Sequence, residues 1–369
     1  MRRELERIEI PGEHDARERA WALVHAAWSE REPQSRPQPF LRPLLAGAAL
    51  VAVLAAAISP PGRAVIEDVR KAIGVERADD AILELPAGGR LLVNATTGPW
   101  IVGSNGSRRS LGAYDQASWS PRGLFVVASR GRELVALTPR GDVRWEHSLP
   151  ALVDFPRWSP SGFRISYFAG GTLRVIAGDG EDDRLIARSP HRIGTSWRPG
   201  ARHVLAYAAA RRTIAVVDVD SRRRLWTGRV SGTIHELAWA PDGSRLLVLH
   251  DGGYALFGAS GDVLGRRTSM RGVPQTASFA PRGHRFALVI GLPGRSEVRV
   301  GGRLVFAGAG AFNGVEWSPD GQWILVSWGT ANQWVFVRSA GVRRIAAISN
   351  VSDQFHSPTM PALGGWCCP

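Results

Sequence analysis

The sequence predicts an all-β fold over residues 81–369: a seven-bladed β-propeller of four-stranded antiparallel blades, with six or eight blades as the alternatives. Three observations carry this reading. One aromatic-centred phrase recurs six times, its aromatics 39, 39, 42, 40 and 38 residues apart, and a beat near 40 is that of a propeller blade. Short apolar segments of strand length lie between the phrases. The 42 Gly and 24 Pro demand many turns rather than long helices.

In chain order, residues 1–40 form a charged soluble segment with seven basic and eight acidic side chains. Within it, residues 13–31 read as an amphipathic helix. Trp21, Val24 and Trp28 fall at i, i+3 and i+7, beside Ala20 and Ala27 and opposite the charges. Pro33 and Pro37 mark a short linker.

Residues 41–59 read as one transmembrane helix. Leu44 to Ile58 is an uncharged apolar run, and Phe40 to Ser59 spans about 30 Å at about 1.5 Å per residue, interrupted only by Arg42 and Pro43. Pro60-Pro61 stops it. An uncleaved anchor is the first reading; a cleaved signal peptide and a buried core helix are the others. About 40 residues ahead of the apolar run is long for a signal peptide, although Ala55-Ala56-Ala57 offers a cleavage pattern. Arg31, Arg36 and Arg42 before the run balance Arg63, Arg70, Lys71 and Arg77 after it, so flanking charge leaves topology open. The expected arrangement is a single-pass cell-membrane protein with an extracytoplasmic propeller. Residues 60–80 then form a stalk, helical through Val65, Ile66, Val69 and Ile73.

The repeated phrase is Ala117-Ser-Trp119-Ser-Pro121-Arg-Gly123, then Pro156-Arg-Trp158-Ser-Pro160-Ser-Gly162. Thr195-Ser-Trp197-Arg-Pro199-Gly200 and Leu237-Ala-Trp239-Ala-Pro241-Asp-Gly243 follow, then Ala277-Ser-Phe279-Ala-Pro281-Arg-Gly283 and Val315-Glu-Trp317-Ser-Pro319-Asp-Gly321. In each, the aromatic ends an inner strand and packs between sheets. Pro fixes φ and Gly accepts positive φ, which makes the turn into the second strand. Trp119, Trp158, Trp197, Trp239, Phe279 and Trp317 are therefore structural core positions. A degenerate copy, Ile82 to Val93, has the turn and second strand but no aromatic. Residues 82–369 number 288, which at about 40 per blade gives seven. The tail from Val351 is left to lock the ring or cover the first blade.

At Trp317-Ser-Pro-Asp-Gly321 and Trp239-Ala-Pro-Asp-Gly243 the chain resembles the WD-repeat-like propellers of the TolB type, over roughly four-fifths of its length. Val217-Asp-Val-Asp-Ser-Arg-Arg-Arg-Leu-Trp226 is similar to quinoprotein repeats. These likenesses imply fold more than function. The layout of soluble helix, span and propeller resembles transmembrane anti-sigma factors and envelope sensors, without the H-x-x-x-C-x-x-C zinc motif of one large subgroup. That resemblance implies a signal-transducing regulator that binds proteins, with a sigma factor at Trp21, Val24 and Trp28. An envelope protein- or glycan-binding scaffold is the alternative, and a quinoprotein-like or hydrolytic enzyme the second.

Composition narrows the rest. The net charge of +13 comes from Arg, with Lys71 the single lysine. The arginines are spread over strand edges and turns with no sustained basic helix, which does not fit nucleic-acid binding. No P-loop, H-E-x-x-H, G-x-S-x-G or EF-hand pattern occurs, so no catalytic, metal or cofactor residues are expected. Gly178-Asp-Gly-Glu-Asp-Asp183 and Arg140-Gly-Asp142 read as solvated turns. Cys367 and Cys368 are too few for zinc and, as neighbours, poorly placed for a disulfide.

Overall fold

The computed structural model describes residues 77–78, 84–340 and 344–368. The expected helix 13–31 with Trp21, Val24 and Trp28, the span 41–59 and nearly all of the stalk lie outside the described residues. Two stalk residues are described, Arg77–Ala78, and they are a strand instead of a helix end. They pair in parallel with Arg344–Ser349 as a fifth strand at the edge of the last blade. Among the described residues no helix is long and apolar enough to cross a membrane.

Seven antiparallel sheets follow one another along the chain. Blade 2 is typical, with Gln116–Trp119 innermost, then Val126–Arg130, Glu133–Leu137 and Val143–Ser148. In the second and third strands both faces are covered, so these read as unbroken apolar runs. Val126 and Ala128 pack toward blade 1, whereas Val127 between them packs toward blade 3. The outermost strand faces solvent along most of its length. Each neighbouring pair of blades encloses its own apolar cluster, seven in all, the last joining blade 7 to blade 1. A blade thus buries its faces only against the next, which makes the ring the stable unit.

The phrase does what its residues require. In Ser120-Pro121-Arg122-Gly123 the Gly123 N–H donates to the Ser120 carbonyl at 2.9 Å, closing a four-residue turn, and Gly321 does the same to Ser318 at 2.8 Å. The six phrase glycines all have positive φ, between +61° and +79°. The serine side chain adds a bond across the turn. Its Oγ accepts an N–H from the far side, as in Phe125 N–H to Ser120 at 2.9 Å and Trp323 N–H to Ser318 at 2.9 Å. The aromatic ties blades together. The Nε1–H of Trp317 donates to the Ser278 carbonyl at 2.9 Å and that of Trp197 to the Arg157 carbonyl at 3.1 Å.

Blade 1 resolves the degenerate copy. Its innermost strand is Ala362–Cys367, from the far end of the chain, paired with Arg90–Ala95; Gly98–Gly103 and Arg108–Ser110 complete it. Trp366 lies opposite Leu91 just as Trp119 lies opposite Val126 and Trp317 opposite Ile324. Trp119 Nε1–H donates to the Gly365 carbonyl at 3.1 Å, the same tie made elsewhere to the residue before the aromatic. Trp366 is therefore the missing aromatic, and the phrase of blade 1 is split between the two ends of the described chain. The tail locks the ring.

Candidate functional site

The turns of the phrase share one face of the propeller, and there the central channel opens into a cavity of about 810 Å³. Trp119, Trp158 and Leu363 form part of an apolar wall, the closing strand contributes Gly364 and Gly365, and Cys367 and Cys368 stand at its edge. The two cysteine sulfurs are joined as a disulfide between neighbours, contrary to the sequence expectation. Cys368 occupies the place that Pro holds in the other blades, and Cys367 the place of the phrase serine. A Cβ on Gly123 would meet Sγ of Cys368 at 2.8 Å, as one on Gly321 would meet Cγ of Pro281 at 3.2 Å.

Three charged side chains stand on the inner strands of three blades, and two of them line the cavity. In each inner strand the residue before the aromatic points to the opposite face of its sheet. In most blades this residue is small: Ser118, Ser196, Ala238, Ser278, Gly365. In blade 3 it is Arg157 and in blade 7 it is Glu316, and both line the cavity. Glu236, two positions further back in blade 5, shares the same side of its strand. All three residues are partly exposed, and protein surrounds them on most sides.

That enclosure sets their acidity. Burial pushes Glu316 from 4.5 up to about 7, against the pull of a hydrogen bond from Ser278 Oγ at 3.1 Å and of Arg157. Burial also raises Glu236 from 4.5 to about 7, offset by Thr276, by the Ala277 N–H at 3.3 Å and by Arg157, while Glu316 adds to the rise. Burial lowers Arg157, and Glu316 and Glu236 work against that. An arginine keeps its charge regardless. Among the described residues no cluster of three or more His, Cys, Asp or Glu is set to hold a metal ion.

Of the phrase aromatics, Trp197, Trp239 and Trp317 are buried between blades, and Phe279 packs edge-on to Phe286 at 5.5 Å. Trp119 and Trp158 are only half-buried and border the cavity, so two residues assigned wholly to the core also form a surface. The acidic stretch ending at Asp183 is a turn, but Asp183 itself is not a solvated group. It accepts from Tyr167 Oη at 2.7 Å and from Arg174 Nε at 2.8 Å, binding the strands of blade 3. Arg157, Glu236, Glu316 and Trp366 were missed by sequence reasoning. Arg157 and Glu316 carry a readable signal, a charge where the aligned phrases have small residues, whereas the positions aligned with Glu236 are as varied as Gln116, Phe155 and Gly194. Trp366 falls 49 residues after Trp317, off the beat.

On the same face, the position after the phrase glycine carries an exposed apolar side chain in two adjacent blades. Leu124 is 60% and Phe163 67% exposed, whereas Ser244, His284 and Gln322 stand there in blades 5 to 7. Phe163 packs edge-on to His203 of blade 4 at 6.5 Å.

The arrangement has counterparts among solved structures. A chain of the mitotic checkpoint complex matches with a TM-score of 0.53 at 20% identity, over 63% of this chain and 76% of that one. The β-propeller of Cps50 (Swd1) from Myceliophteria thermophila matches with a TM-score of 0.51 at 14% identity, over 62% and 84%. This is a seven-bladed propeller with WD40-like neighbours. Hydrazine synthase of Kuenenia stuttgartiensis has the likeness too, with a TM-score of 0.56 at 15% identity over 72% of this chain and 98% of that one. At such identities the likeness concerns the fold alone. No family profile and no curated protein matches the sequence.

Proposed function

We propose that this WD40-like propeller is a protein-binding module of a membrane-tethered regulator, laid out like an anti-sigma factor, with the propeller extracytoplasmic and the N-terminal segment cytoplasmic. The observation that supports protein binding best is the exposed pair Leu124 and Phe163 beside the channel mouth. Apolar side chains of that size on adjacent turns are worth about 1.5–3 kcal/mol each when a partner covers them. A rigid ring of sheets presents such turns without reorganisation, which lowers the cost of association. That one of the structural neighbours is a chain of a multiprotein complex agrees with this reading. The tether rests on the apolar run 41–59, and the cytoplasmic contact on Trp21, Val24 and Trp28, which suit helix-in-groove docking. The reading is binding rather than catalysis.

Co-purification of the full chain from crosslinked membranes tests both ends at once. The doubly substituted Trp21→Ala/Trp28→Ala chain loses a sigma factor that the native chain retains, and Leu124→Asp/Phe163→Asp loses a different, extracytoplasmic protein about tenfold. Identical partner sets from native and substituted chains would refute the proposal.

A further inference from the structure

The cavity at the channel mouth has a chemistry that the protein-binding reading does not use. Its volume of about 810 Å³ lies in the range that holds a small organic ligand. Its wall is largely apolar, with Trp119, Trp158, Leu363 and Pro319 around it. Arg157 is directed into this space, and its hydrogen bonding is meagre. The one hydrogen bond that it donates is a long contact of 3.4 Å from Nη1 to the carbonyl of its own neighbour Pro156. Among the described residues it forms no ion pair within 4.0 Å. A guanidinium has five N–H donors, and no nitrogen of Arg157 is both buried and without a partner, so its unused donors stay open to the cavity. A group that would use several of these donors at once is an anion that fits the guanidinium fork.

We propose that this cavity binds a small organic carboxylate with a flat or ring-shaped body, Arg157 taking the carboxylate and the wall around Trp119 and Trp158 taking the ring. A carboxylate suits the site better than phosphate. The largely apolar wall takes an organic body, which inorganic phosphate lacks. Gly365 carries no side chain beside Trp119, where an added Cβ would lie 3.6 Å from the indole. The groups that face the carboxylate are Arg157 and Glu316, with Glu236 within electrostatic reach and Arg122 at the rim. With the two glutamates held near 7, a mildly acidic solution keeps them neutral and lets Glu316 donate a proton to the ligand oxygen. Raising the pH charges them, and binding weakens.

The proposal goes beyond protein docking and does not depend on it. It is tested by calorimetric titration of the full chain in detergent with benzoate, indole-3-acetate and glucuronate, against benzamide and inorganic phosphate. At least one carboxylate is expected to bind at about pH 5.5 and about tenfold more weakly at about pH 8.5. Benzamide is not bound, and Arg157→Gln abolishes binding. Glu316→Gln keeps carboxylate binding and flattens its pH dependence, a readout that stands even if Arg157→Gln fails to fold. Absence of binding by all three carboxylates overturns the proposal. So does equal binding of benzamide, tighter binding of phosphate, or affinity that does not fall with rising pH.

Discussion

At the scale of single residues, Ser318 shows why the phrase is written as it is. Its side chain is fully buried, its Oγ accepts the Trp323 N–H at 2.9 Å, and its hydroxyl reaches Asp320 or the Trp323 carbonyl. Ala240 and Ala280 occupy the same place in blades 5 and 6. There the turn still closes through backbone bonds, Gly243 N–H to Ala240 at 2.8 Å among them. The hydroxyl therefore strengthens a turn that Pro and Gly already form. Ser318→Ala is expected to lower stability by about 1–3 kcal/mol by stranding a buried N–H, read from the urea midpoint at unchanged slope. Serine, proline and glycine at these places were legible from sequence because turn chemistry is local. The second role of Trp119 and Trp158 was not, because identical indoles in the phrase differ only in what the ring places beside them.

At the scale of elements, the closing strand Ala362–Cys367 does more than any other. It supplies Trp366, buried between blades 7 and 1, and the Gly365 carbonyl that receives Trp119. It also covers the edge of Arg90–Ala95, whose Leu91, Leu92 and Val93 are wholly buried. Gly89 fits this junction. Its φ is +98°, and a Cβ there would meet the Cys367 carbonyl at 2.6 Å. Trp366→Ala is expected to cost about 3–5 kcal/mol. Truncation after residue 361 should go further, exposing a bare strand edge and replacing one cooperative unfolding transition by a broad one. Chemical denaturation followed by tryptophan fluorescence and limited proteolysis would show both. A truncated chain as stable as the native one would contradict the role of this strand. The short apolar segments between the phrases were legible as strands, since the turns bound them. The inner strand of blade 1 was not, because its residues are separated from the rest of the blade by almost the whole propeller.

At the scale of the whole molecule, the ring gathers charges that no stretch of sequence holds together. Arg157, Glu236 and Glu316 come from blades 3, 5 and 7, and the two glutamates are raised by burial from 4.5 to about 7. Between those values the unfolded chain releases protons that the folded ring still holds. Stability therefore falls as the pH rises from 4.5 to about 7 and levels off above that. Thermal unfolding across this window should show the decline, and Glu236→Gln/Glu316→Gln should reduce it. A decline of the same size in the double variant would place its origin elsewhere. The sequence expectation of a large net positive charge without a nucleic-acid site says nothing of this interior, where two acids face one base.

What the amino-acid sequence determined alone is the blade. Short apolar runs, Pro-x-Gly turns and an aromatic every forty residues act over a few neighbours, so their meaning survives without a fold around them. The seven blades expected from length and period are present, but the strand that seals the ring and the charged lining of its channel were decided by tertiary structure. Each depends on residues far apart in the chain meeting across a closed circle, and only the geometry of closure brings them together.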